Sequence, residues 1–197
     1  MSEHWAEVLS AHWGIEADLH RLDGEYDLNF RAVTRDGRAY VLKVMRPGCE
    51  AALIEMQIAA LTHLAKTAPE VPLPRVVPAR DGGLLVEAPD AAGETRLVWL
   101  QEALPGICYA DFRPHAPALI EDLGRQAGAL AAGLADFDHP GLNRDFKWDL
   151  MQADWIAGKL DVMKDPARRA LLEDICTAYA KLRPALEALP GKRCTTT

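Results

Sequence analysis

Lys43 lies in the apolar run Tyr40, Val41, Leu42, Val44 and Met45, and Glu55 follows twelve residues later. An ammonium on a hydrophobic strand has two uses. It can run its stem along the surface and keep its charge in water, or it can be retained in a crevice for an anionic ligand. The second use asks for a carboxylate that keeps the cation charged and oriented while water is excluded. Glu55 is the best candidate for that carboxylate. Glu50 is a weaker competitor, five residues away and on another face of the same helix. A lysine held in this way suits a polyphosphate, although the two side chains could equally form a purely structural ion pair.

The elements that position these residues are readable from periodicity. In Arg38 to Met45 the side chains alternate, so Tyr40, Leu42 and Val44 face one way and Val41, Lys43 and Met45 the other. Upstream, "HRLDGEYDLNFRAVTRDGRAYVLKVM" breaks at Asp23-Gly24 and again at Asp36-Gly37, which predicts three strands joined by tight turns. Before them, Trp5, Val8, Leu9, His12 and Trp13 share one face of a short helix that Gly14 ends. After Pro47-Gly48, residues Glu50 to Lys66 carry Leu53, Met56, Gln57, Ala60, Leu61 and Leu64 at helical spacing. Strands are predicted near Arg75 to Val77, Leu84 to Glu87 and Thr95 to Ala103, completing a sheet of five or six strands. Leu104-Pro105-Gly106 closes it, and only helical patterns follow, over 117–137, 147–160 and 166–189.

Composition limits the possible partners. Of the 197 residues, 49% are hydrophobic, which allows a sizeable core. A net charge of −7 argues against nucleic acid or an anionic membrane as partner. Four scattered cysteines, without a CxxC pair, fit free thiols in a reducing compartment. No run of about 18 apolar residues occurs and the first residues lack a basic, then apolar, leader pattern. The expectation is a cytoplasmic protein.

A hairpin, a central strand lysine, a helix glutamate, a hinge and then helices follow the layout of the protein-kinase-like fold. The stretches "EYDLNFRAV", "YVLKV", "ALIEMQIAALTHL", "RLVWLQEALPG" and "LADFDHPGLNRDFKWDL" resemble the aminoglycoside phosphotransferase family, and within it the hydroxylysine-kinase-like branch. The resemblance runs in order from about residue 15 to about 190. It implies a bilobal α+β fold, with an N-terminal mixed or antiparallel sheet lobe carrying an inserted helix (1–105), an incomplete helical lobe (106–190) and an unmatched tail (191–197). It implies ATP or GTP with Mg²⁺ in the cleft, and transfer of the γ-phosphate to a hydroxyl of a small amino alcohol or hydroxy-amino acid.

By the same resemblance Lys43 is the phosphate-contacting lysine and Glu55 its helix partner. Gly24 to Asn29 form the loop over the phosphates, where Glu25, Asp27 and Asn29 are the polar members. A carboxylate beside a triphosphate repels it unless a metal or a basic neighbour intervenes, so Glu25 and Asp27 suit bracing the turn or accepting from amides better than touching phosphate. Gln101, Glu102, Ala103 and Leu104 correspond to the hinge that pairs with a purine edge, and Val41 to a residue packed on the base. Trp148 and Asp149 match a position near the acceptor, with core packing as the alternative for Trp148. His139-Pro140 reads as a stop signal, so Asp138 and His139 are not a catalytic pair.

Kinase-like phosphotransferases also need a catalytic-loop Asp, a nearby Asn and a second Asp on the magnesium. The family carries these as HGDxxxxN and a following aspartate strand. The match stops at Leu189-Pro190, and no HGD or HxD with a downstream Asn occurs in the 197 residues. The sequence therefore predicts no catalytic residue and no metal ligand in this chain, and little activity from it alone. The alternative is a non-catalytic module that binds a nucleotide or a partner, or that associates with a second copy through the helical part.

Overall fold

The computed structural model describes residues 2–142, 144 and 148–188. Helix α1, Ser2–Trp13, buries Trp5, Val8, Leu9 and Trp13, a single stripe at helical spacing. Gly14 ends it with φ +70° while its amide donates to Ser10 O at 2.9 Å. Three antiparallel strands follow: β1, Ala17–Leu22, β2, Leu28–Thr34, and β3, Ala39–Val44. The β2–β3 turn is fixed by Gly37, with φ +84° and its amide donating to Thr34 O at 2.9 Å.

Helix α2, Ala51–Thr67, is inserted before β4, Val76–Val77, β5, Val86–Pro89, and β6, Thr95–Glu102. The sheet runs β1-β2-β3-β6-β4, with β5 pairing beside β4 on the same edge of β6. The strand predictions hold in kind and shift by a few residues, since β4 to β6 begin and end on backbone pairing that composition does not mark.

Strict alternation on β3 divides the lobe. Tyr40, Leu42 and Val44 join Phe30, Ala32, Val98 and Leu100 under α1. Met45 and Trp99 join Ile54 and Ile58 of α2 on the opposite face. Two helices thus cover two faces of one sheet, but α2 covers only part of its face. Arg96, 7% exposed, ties strand ends together by donating from Nε to Met45 O at 2.6 Å and pairing with Asp90 at 3.1 Å.

Helix α3, Pro117–Gly133, packs on the end of α2 through Leu64, Ala68, Ala129, Leu130 and Leu134. The chain divides into a compact unit reaching Leu142 and a second unit over 143–193. The second contains a 3-10 segment, Leu150–Val162, and helix α4, Pro166–Glu187, which Asp165 caps by accepting from the Ala167 and Arg168 amides. The predicted helical start at Lys147 and the tail 191–197 lie outside the described residues. No helix among the described residues is long and apolar enough to cross a membrane. Cys108 and Cys176 are free thiols.

Candidate nucleotide site

Directly opposite residues of antiparallel strands project to the same face. The register places Asn29 of β2 and Trp99 of β6 on either side of Lys43, so Asn29, Lys43 and Trp99 form one row across the sheet. Lys43 Nζ lies over the Trp99 ring, 5.2 Å from its centroid, a distance at which the ring face attracts the cation. Burial pushes the Lys43 pKa down from its ordinary value, and the negative charge of Asp27 offsets part of that shift. No carboxylate among the described residues lies within 4 Å of the ammonium. Asn29 Oδ1 and Trp99 Nε1 are buried and have no hydrogen-bond partner. A buried polar atom left in that condition costs about 1–3 kcal/mol, and two of them flank a half-buried cation.

The loop from Asp23 to Asp27 closes over one end of this row. A Cβ on Gly24 would lie 2.7 Å from Asn29 Nδ2 and 2.7 Å from Asp27 O, so the loop touches Asn29 too closely for any side chain. Asp27 Oδ1 accepts from the Arg46 amide at 2.8 Å, which anchors the loop to the end of β3. The Arg46 guanidinium lies 5.7 Å from the Tyr26 ring centroid, with Nη1 3.9 Å from Asp27.

The hinge residues Gln101 to Leu104 lead out of β6. Gln101 pairs with Val41, and the Glu102 and Ala103 amides donate to Arg75 O and Ala39 O at 2.8 and 3.0 Å. Those two N–H groups are engaged within the lobe. Val41 shares the Lys43 face and is half-buried.

Glu55 is exposed on α2 and forms no ion pair with Lys43. It lines an open groove of about 790 Å³ together with Ile58, His63, Leu85, Asp136 and Asp138. Glu55 is one position from Ile54, which packs on Trp99, so it leaves the same turn of α2 that meets the Lys43 face. His139 Nδ1 accepts from the Gly141 amide at 3.0 Å, a turn-forming bond. Trp148 and Asp149 belong to the second unit, Trp148 65% exposed. Asp149 there accepts from the Met151 amide at 2.9 Å and starts the 3-10 segment.

A family model described as "Phosphotransferase enzyme family" (APH) matches residues 18–194, nearly the whole chain. The chain belongs to the APH phosphotransferase family. No curated protein matches it. Among solved structures it is similar to an amicoumacin kinase in complex with AMP-PNP, Ca²⁺ and Ami, at TM-score 0.65 and 16% identity over 95% of this chain and 54% of that one. It is also similar to a microcompartment-associated aminopropanol kinase, at TM-score 0.57 and 24% identity over 74% of this chain and 44% of that one. The chain therefore spans about half the length of these structures, and its antiparallel sheet followed by helices has their kinase-like fold.

In this APH phosphotransferase chain the sequence reading missed Trp99, Tyr26 and Arg46. Trp99 was detectable in principle, because alternation along β6 places it with Gln101, but which β6 residue opposes Lys43 depends on register. Arg46 lies past the end of β3, where no periodicity assigns a face. Among the described residues no group of three His, Cys, Asp or Glu side chains is arranged to hold a metal ion.

Proposed function

We propose that this chain binds a nucleoside triphosphate on the Lys43 face of its sheet, as the nucleotide-binding part of a small-molecule kinase. The observation that carries this reading is Lys43 itself, a cation half-buried over Trp99, with no carboxylate of the described residues within 4 Å. A desolvated charge without a close counter-ion is destabilising, and a polyphosphate supplies the missing counter-charge. Asn29 and the Gly24–Asp27 loop bound the same space, Val41 adjoins the base position, and the hinge over Gln101, Glu102, Ala103 and Leu104 would meet a purine edge through backbone groups other than the Glu102 and Ala103 amides, which bond Arg75 O and Ala39 O. Glu55, on the helix that covers part of this face, is the proposed carboxylate partner of Lys43.

A bound nucleotide brings the transferable γ-phosphoryl group. This chain's residues orient that group and shield it from water. The acceptor we propose is a hydroxyl on a small amine-bearing molecule, with Trp148 and Asp149 near it. The metal would be Mg²⁺, but the described residues hold no ligand set for it, and no HGDxxxxN occurs in the 197 residues. The second reading is a module that binds a nucleotide or a partner without transferring phosphate.

Calorimetric titration with ATP and GTP, each with Mg²⁺, tests binding. At saturating nucleotide the thermal midpoint should rise, because the ligand binds the native state. Lys43→Ala should weaken binding by about tenfold or more, the size of one charge-assisted contact. Equal affinity in wild type and Lys43→Ala would end the reading. Incubation with radiolabelled ATP and amino alcohols or hydroxy-amino acids separates a transferring kinase from a binding module.

A further inference from the structure

We infer that Arg46 is a second phosphate-binding cation, specific for the terminal phosphate of the nucleotide; this rests on the nucleotide-binding reading above. Strand β3 supplies the ruler. Its Tyr40 and Val41 pair with Glu102 and Gln101 at the hinge, whereas Lys43 pairs with Trp99 and the Met45 amide donates to Leu97 O at 2.9 Å. Passing along the strand from Val41 to Lys43 therefore moves away from the base position. A nucleotide laid along it has its base at the hinge, its inner phosphates at Lys43 and its terminal phosphate further on. The next cation in that direction is Arg46, roughly 10 Å beyond Lys43 along the strand.

Three contacts keep Arg46 at that end. Asp27 accepts from its amide at 2.8 Å, Asp27 also lies 3.9 Å from its Nη1, and the guanidinium lies 5.7 Å from the Tyr26 ring centroid. Asp27 is the same carboxylate whose charge acts on Lys43. One acidic side chain is thus shared by two cations under a loop that Gly24 lets approach Asn29 within contact distance. A carboxylate alone in that loop would repel a triphosphate. Flanked by Lys43 and Arg46 it instead spaces them, and the guanidinium can turn from Asp27 to a phosphate without moving the backbone, since the hydrogen bond from the Arg46 amide to Asp27 stays in place. Tyr26 offers the planar surface on which a guanidinium rests.

The test compares ATP and ADP, each with Mg²⁺, by calorimetric titration of the full chain. Lys43→Ala should weaken both nucleotides to a similar degree. Arg46→Gln, which removes the charge and keeps most of the length, should weaken ATP about tenfold and leave ADP within about twofold. Asp27→Asn retains an acceptor for the Arg46 amide and removes the negative charge, so it should tighten ATP more than ADP. Far-UV dichroism and the thermal midpoint check that each variant is folded. An ATP-to-ADP affinity ratio unchanged by both Arg46→Gln and Asp27→Asn, while Lys43→Ala weakens both nucleotides, overturns the role of Arg46 and leaves nucleotide binding standing. Absence of nucleotide binding by the wild type, or its indifference to Lys43→Ala, overturns both.

Discussion

Lys43 carries a stability consequence independent of any ligand. Burial lowers its pKa below the ordinary 10.5, with Asp27 opposing the shift, so folding disfavours its charged form. The native chain releases this proton at lower pH than the unfolded chain does. The penalty is therefore complete below the native pKa and is relieved as pH rises through it toward 10.5. Replacing the ammonium with a thioether of similar length removes the desolvation and keeps the packing on Trp99. Lys43→Met should raise the thermal midpoint near pH 7 by roughly 2–4 °C, the shift that about 1 kcal/mol produces in a chain of this length. The advantage should shrink as the buffer is taken toward pH 10, because the wild-type side chain then becomes neutral too. A midpoint that drops at pH 7 would mean that Lys43 is stabilising as a cation. Such a result would point to a counter-ion closer than Asp27.

Between elements, one close joint is the crossing of α2 and α3. A Cβ on Gly133 would lie 2.9 Å from Leu64 Cδ2, 3.0 Å from Ala68 Cβ and 3.2 Å from Thr67 Oγ1. The Gly133 carbonyl accepts from Thr67 Oγ1 at 2.9 Å and lies 2.9 Å from His63 Nε2. Gly133→Ala should therefore destabilise by about 1–3 kcal/mol, as overpacking does. Gly128 lies in the same helix with open space around its Cβ position. Gly128→Ala should stabilise by about 0.5–1 kcal/mol through helix propensity alone. Urea midpoints of the two variants should move in opposite directions, and a shared direction would refute the close crossing. The contrast also shows what periodicity can deliver. The stripes of α1 and α2 and the alternation of β3 follow from residue spacing, so the helices, the hairpin at Asp36-Gly37 and the face of Lys43 were legible. Gly133 and Gly128 look alike in sequence, because their difference is made by residues more than sixty positions away. The same limit hid Trp99 and Arg46, whose meaning comes from strand register and from a loop contact.

Across the whole molecule, burial is unevenly distributed. The sheet lobe buries Trp5, Leu9, Phe30, Leu42, Val44, Ile54, Val98, Trp99 and Leu100 almost completely. In the second unit no described residue is buried, and Leu150, Trp155, Leu171, Ile175 and Leu182 are at least half exposed. Two ion pairs join α4 to the 3-10 segment: Arg169 pairs with Asp161 at 2.9 Å, and Arg183 pairs with Asp154. Exposed ion pairs contribute about 0–1 kcal/mol each and weaken with salt. A segment with few buried apolar contacts opens at much lower free energy than a packed sheet. Amides of α4 should therefore exchange with deuterium orders of magnitude faster than those of β2 and β3, and limited trypsin digestion should cut first after Arg168, Arg169 or Lys181. Raising salt from 0.05 to 0.5 M, about a threefold shorter screening length, should speed α4 exchange further while leaving the sheet unchanged. Equal protection of α4 and β3 would require a cover over Leu171, Ile175 and Leu182. Sedimentation at several concentrations would then show whether a second copy provides it.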